Sequence, residues 1–179
     1  MTDRTALPER AGQANAPQEG ARSHILVVFA NDKHGAIDRV IGLLRRRRAN
    51  TQKLAIGRSE VPDVVRITIV MDDSEVGVHQ LAEQLRKVVD VQHVDYLSSK
   101  QTVARELALI KVNSSATASS EIIELGDLFG AHTVDIGQET VTLEVTGSEE
   151  KVEKLVSLLQ GYGIRELART GCVAMTRDM

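Results

Sequence analysis

Two runs of the same element order stand one after the other in this chain, and that order limits the fold more than any other feature. The first begins at residues 24–30, HILVVFA, a β-rich apolar run closed by the turn-forming pair Asn31-Asp32. Beyond a short polar loop, Ile37, Val40, Ile41, Leu43 and Leu44 recur at helical spacing, with Asp38, Arg39 and Arg45 on other faces. Residues 51–60 read as extended, Val61-Pro62-Asp63 as a turn, and 64–71, VVRITIVM, as a strand. Its Val65, Ile67 and Ile69 share one face, and Arg66 and Thr68 the other, so 51–71 predicts a hairpin. Asp72-Asp73-Ser74 opens a second helix over 75–89, with Val78, Leu81, Leu85 and Val88 as its buried stripe. Residues 91–97 close the unit as a strand. The result is β-α-β-β-α-β, the ferredoxin-like order.

The second half repeats it. A polar link over 98–104 leads to a strand at 105–113, and 114–120 is small and polar. Ser119 or Ser120 is placed to cap a helix over 121–129. Strands follow at 131–136 and 140–146 around the turn Gly137-Gln138. Ser148 then caps a helix that buries Val152, Leu155, Val156 and Leu159 and stops at Gly161. Strands at 164–168 and 171–176 end the chain. The duplication is one of element order, without a clear residue-level repeat. The expected fold class is therefore α+β, with two ferredoxin-like βαββαβ domains. The expected division is a disordered tail at 1–22, a first domain at 23–98, a linker at 99–104 and a second domain at 105–179.

Composition narrows the function. The apolar share of 42% is enough for two cores, and an aromatic share of 2% requires them to be aliphatic. The formal charge of −3 gives no overall field for nucleic acid or an anionic membrane, and neither is expected as a partner. A single cysteine, Cys172, excludes an internal disulfide and a cysteine-cluster metal site, and suits packing better than nucleophilic work. No apolar run reaches membrane-span length, and residues 1–22 carry neither an apolar signal core nor amphipathic pattern. A cytoplasmic protein is expected.

The loop at 31–37 carries the most suggestive chemistry. Asp32 stands where a helix N-cap would, three residues before Gly35, which lets backbone approach a neighbour or ligand. Free amides at such a helix start can bind a carboxylate, and Lys33 and His34 bring cationic character beside it. An amino-acid site and an ordinary strand-to-helix turn both fit this pattern. His24, His34, His79, His93 and His132 show no i,i+4 pair and no metal motif. The Arg45–Arg48 run fits a solvated helix end or a protein contact better than nucleic acid. No Ser/His/Asp set, P-loop or GxGxxG is present, so the sequence proposes binding rather than a reaction.

Several stretches resemble the regulatory (small) subunit of acetolactate synthase, also called acetohydroxyacid synthase. They are GAIDRVIGLLRRR, LAIGRSEVPDVVRITIV, LAEQLRKVVDVQHV, RELALIKV, EIIELGDLF and LARTGCVAM, which together span nearly everything after the tail. The resemblance implies that the first domain is an ACT domain, that two copies pair side by side, and that an amino acid binds where they meet. It implies no catalysis by this chain. It also implies a catalytic-subunit partner holding thiamine diphosphate, Mg and FAD, none of them expected here, and feedback by a branched-chain amino acid, usually valine. The effector positions carried over are Asp32, His34, Gly35, Ala36, Ile37, Asn50 and Thr51. Asn50 would face the site from the other copy. Asp32 replaces the family's Asn, Arg48 its Gly, and Thr51 an apolar residue. Ionised Asp only accepts hydrogen bonds, so altered or weakened valine feedback is expected. A stand-alone amino-acid sensor and an effector-insensitive activator are the alternatives.

A homodimer is expected on physical grounds as well. A four-stranded sheet with helices on one face leaves its other face and its edges uncovered, and a second copy would supply both.

Overall fold

The computed structural model describes residues 23–72, 74–97, 102–115 and 117–177. The predicted tail at 1–22 and most of the predicted link, 98–101, lie outside them. The first unit consists of β1 (Ser23–Asn31), α1 (Ala36–Arg46), β2 (Thr51–Arg58), β3 (Val64–Asp72), α2 (Glu75–Leu85) and β4 (Val91–Leu97). Its antiparallel sheet has the order β2-β3-β1-β4. The second unit consists of β5 (Thr102–Asn113), α3 (Ala118–Leu128), β6 (His132–Ile136), β7 (Thr140–Gly147), α4 (Glu149–Leu159) and β8 (Ile164–Arg169). Its sheet runs β6-β7-β5-β8, the same topology, and β9 (Val173–Thr176) pairs with β5. The doubled ferredoxin-like α+β architecture is as expected.

Each helix layer follows from its apolar stripe. Val40, Leu43 and Leu44 of α1 and Val78, Leu81 and Leu85 of α2 pack on Leu26, Val28, Ile67, Ile69 and Met71. The second core joins Ile122 of α3 and Val152, Leu155, Val156 and Leu159 of α4 to Ile110, Val112 and Leu143. Ser74 and Ser148 cap α2 and α4 by accepting from the amides three residues on, Gly77 and Lys151, at 3.2 and 3.4 Å.

Some boundaries differ from the sequence reading. Helix α2 ends at Leu85 rather than Val89, because Lys87 and Val88 bond to Gln84 and Leu85 carbonyls in tighter turns leading into β4. Helix α3 begins at Ala118, so Ser119 and Ser120 lie inside it; the Ser115 hydroxyl accepts from the Ala118 amide instead.

The largest difference concerns the link. Thr102–Ala104, assigned to it by composition, are strand. The first residues of β5, Thr102 to Arg105, pair antiparallel with β9, and the rest of β5 enters the second sheet. This β5–β9 ribbon crosses the outer face of the first sheet. Val27, Leu97 and Ala174 form a small buried core there, with Ile25, Phe29 and Ala104 around it. The Arg66 guanidinium donates to the Ala174 carbonyl at 2.5 Å. Gly171 lies so close to β2 that a Cβ would overlap the Leu54 carbonyl oxygen. The chain thus covers its own first sheet, and the expectation that this face needs a second copy is corrected. What remains uncovered there are the edges, β2 and β4.

Candidate functional site

The loop after β1 is braced from two sides. The Asn31 amide donates to the Asp90 carbonyl at 2.8 Å, and the Asp32 amide to the Asp63 carbonyl at 2.7 Å. Arg39 Nε donates to Asp90 Oδ2 at 2.7 Å, its Nη2 reaches the same carboxylate, and Asp90 is 6% exposed. Asp90 therefore anchors α1 to the start of β4. No sequence motif announced it.

Asp32 does not cap the helix. Gly35 is the N-cap residue, at φ 79, and no side chain caps α1. Only glycine holds that left-handed backbone cheaply, and a Cβ would press on Arg39 Nη1 at 3.2 Å. Asp32, Lys33 and His34 are exposed, and their side chains make no bond among the described residues. The Ala36 amide is engaged by the Lys33 carbonyl at 3.0 Å. Ile37 packs its partly buried side chain on the core. Its amide and that of Asp38 lie in the first turn, beyond reach of an intrahelical carbonyl. These amides with Lys33 and His34 can hold a carboxylate, and the Asp32 carboxylate can accept from an ammonium. Such a constellation suits a zwitterion.

Asn50 and Thr51 lie elsewhere. The Asn50 carbonyl accepts from the Asp72 amide at 3.1 Å, and its side chain accepts from Gln52 Nε2 at 3.2 Å. The Thr51 hydroxyl is buried with no hydrogen-bond partner among the described residues. Just before them Arg48 adopts φ 51, a left-handed conformation that glycine holds at less cost. The loop is pinned beside the start of β3 and Asn50 to its end. With about 3.3 Å per residue, the length of β3 separates them by roughly 26 Å. One chain therefore brings Asp32, His34, Gly35, Ala36 and Ile37 together and leaves Asn50 and Thr51 apart.

A second cluster, missed in the sequence reading, joins the two sheets. Glu106 is 3% exposed; Lys53 of β2 donates to it at 2.7 Å, and Arg169 of β8 contacts its other oxygen. Lys53 also reaches Glu149 at 2.8 Å, and Arg169 reaches Glu153 at 2.7 Å. Burial pushes the Glu106 carboxyl up, but Lys53 and Arg169 outweigh it and hold the group below the ordinary carboxylate value. Burial likewise pulls Lys53 down, and Glu106 and Glu149 reverse this to leave it raised. The signal was present: Glu106 is in phase with buried Ala108, Ile110 and Val112 on β5. Nearby, burial raises the Cys172 thiol, which fits packing rather than reaction.

Among the described residues no group of His, Cys, Asp and Glu could hold a metal, and no helix is long and apolar enough to cross a membrane. Residues 26–93 match the model of the acetohydroxyacid synthase small subunit-like ACT domain, and 105–178 that of the small subunit of acetolactate synthase. The acetolactate synthase small subunit of Mycolicibacterium smegmatis is 42% identical over 158 residues, covering 88% of this chain and 93% of that protein. That of Mycobacterium bovis is 38% identical over 156 residues, covering 87% and 93%. The crystal structure of the small subunit from Thermotoga maritima superposes with a TM-score of 0.84 at 32% identity, over 88% of this chain and 99% of that one. With both halves matched and the fold shared, this chain belongs to the acetolactate synthase small-subunit family, whose members are regulatory and non-catalytic.

Proposed function

We propose that this chain pairs with its own copy, activates an acetolactate synthase catalytic subunit, and relays feedback from a branched-chain amino acid, valine first. The observation that carries this is the placement of the candidate residues at opposite ends of one edge. Strand β2 is the edge of the first sheet; Thr51 begins it, and its end at Arg58 pairs with Val65, beside Asp63 and the 31–37 loop. Antiparallel pairing of two copies along β2 sets the Asn50–Thr51 end of one chain beside the loop of the other. A two-fold pairing makes the arrangement twice. Each site then holds a carboxylate on the α1 amides and a side-chain amide from Asn50 of the other copy.

Regulation follows by linkage. An amino acid that binds one state of the assembly better shifts the catalytic subunit by that difference alone, with couplings of about 1–3 kcal/mol typical. The thiamine diphosphate, Mg and FAD belong to the catalytic partner in this reading.

A second reading has its own support. The Ala36 amide is already engaged by Lys33, and Asp32 presents a carboxylate where an effector carboxylate would approach. An activator with weak valine response would result. One reconstitution tests both: pyruvate condensation by the catalytic subunit, with and without this chain, titrated with valine, leucine and isoleucine. Stimulation with valine inhibition supports the first reading, and stimulation that no amino acid reverses supports the second. Absence of stimulation refutes both.

A further inference from the structure

The segment that leads from the second sheet into β9 crosses the first sheet at one defined place. Gly171 lies flat on the Leu54–Ala55 peptide of β2, where a Cβ would run into the Leu54 carbonyl and the Ala55 nitrogen. Backbone can approach backbone this closely only without a side chain between them. From there β9 runs inward over the sheet. The Ala174 carbonyl takes the Arg66 guanidinium of β3, and the Ala174 side chain packs with Val27 of β1. Residues 170–172 thus rest on the outer face of the edge strand itself, one layer above it.

That place is the middle of β2. The strand runs from Thr51 to Arg58. A two-fold axis that sets the end of one β2 beside the start of another therefore passes at Leu54–Ala55. Paired strands lie about 4.8 Å apart, so the segment resting on one β2 comes within about one strand spacing of its counterpart. Beside it Val173, 59% exposed, lines a shallow groove with Ala55, Gly57, Arg66 and Thr68. Nothing lies within 4 Å of where a Gly57 Cβ would stand, so the groove is open above the edge strand.

We propose that a second copy of this chain closes this groove, the two 170–173 segments meeting over the β2 seam and each Val173 being buried there. The inference rests on the reading of this chain as a dimer paired along β2. It adds a contact from the second unit to a junction otherwise built from the first alone. The occupant is a second copy because the groove is continuous with the edge that the copy takes. The segment also follows directly on Arg169, which holds Glu106, so the spacing of the two copies bears on that ion cluster.

Met175 provides an internal control. It shares the Val173 face of β9 and is 61% exposed, but it lies beyond Ala174, farther from β2. The test measures self-association of the full chain by sedimentation equilibrium over a concentration series. Val173→Asp puts an unpaired carboxylate into the seam and weakens self-association by about tenfold or more. Met175→Asp leaves it unchanged, and circular dichroism of both variants matches the unaltered protein. Unchanged self-association in Val173→Asp overturns the inference alone, as does an equal loss in both variants. Weakened binding to the catalytic subunit in Val173→Asp, with self-association intact, also overturns it. If the unaltered chain is a monomer throughout, pairing along β2 fails, and the proposed function and this inference fail together.

Discussion

The two sheets share a topology and differ in what covers them. In the first, both faces are closed: helices pack on Ile67 and Ile69, while the β5–β9 ribbon lies over Val27, Thr68 and Val70, so nearly every residue of β3 is buried. In the second, β7 keeps the alternation of a sheet with one open face; Val141, Leu143 and Val145 are buried and Thr142, Glu144 and Thr146 are not. Leu109, on the open face of β5, is 39% exposed. One connectivity thus yields a closed sheet and an open one, because a strand borrowed from the second unit shields the first. The mechanical tie between the units lies at this shield. It runs from β2 and β3, through Lys53, Glu106, Arg66 and Ala174, into β5, β8 and β9. The same β2 carries Thr51, so a change at the proposed effector site has a short covalent path to that tie.

The sharpest way to break this contrast is to delete the carboxylate at the closed face and a counterpart at the open one. Glu106→Ala strands Lys53 and Arg169 without their shared partner and should cost about 3 kcal/mol. Glu144→Ala, on the open face, should stay within about 0.5 kcal/mol. Urea denaturation of the two variants measures both; equal losses would mean that the shielded carboxylate contributes no more than the open one.

Acidity and alkalinity provide a graded form of the same test. The Glu106 carboxyl sits below its ordinary value in the folded chain, so its contribution is present above the unfolded-state value of about 4.3 and is lost as pH falls through the folded one. The Lys53 ammonium is raised, so its contribution is complete below an unfolded value of about 10.4 and is lost as pH rises through the folded one. Hydrogen exchange should show amides around Lys53, Glu106 and Arg169 losing protection at both extremes before those at the Val141 end of β7, which pairs with β5 away from that cluster.

The smallest effect concerns Thr51. Its buried hydroxyl has no partner among the described residues, so Thr51→Val should raise stability by about 1 kcal/mol, read as a higher thermal midpoint. A lower midpoint would mean that the hydroxyl is satisfied in the free protein.

Much of this was legible in residue order. Strand and helix periods in 24–97 and 105–168 are local signals, since each segment shows its own apolar face, and the Ser74 and Ser148 caps need only residues three positions on. The site was legible only in part. The sequence pattern put the cap at Asp32, whereas the left-handed turn at Gly35 leaves that carboxylate in solvent.

Cover for the sheet face opposite the helices is expected from a second copy because nothing local marks a covering strand that arrives from more than a hundred residues away, where the Ala174 carbonyl meets Arg66. Thr102–Ala104 looked like linker for the same reason: their pairing partner is β9, at the other end of the second unit. Periodicity reports which side of an element is apolar. Which neighbour meets that side, and which polar group is closed in with it, depends on contacts between segments remote in the chain.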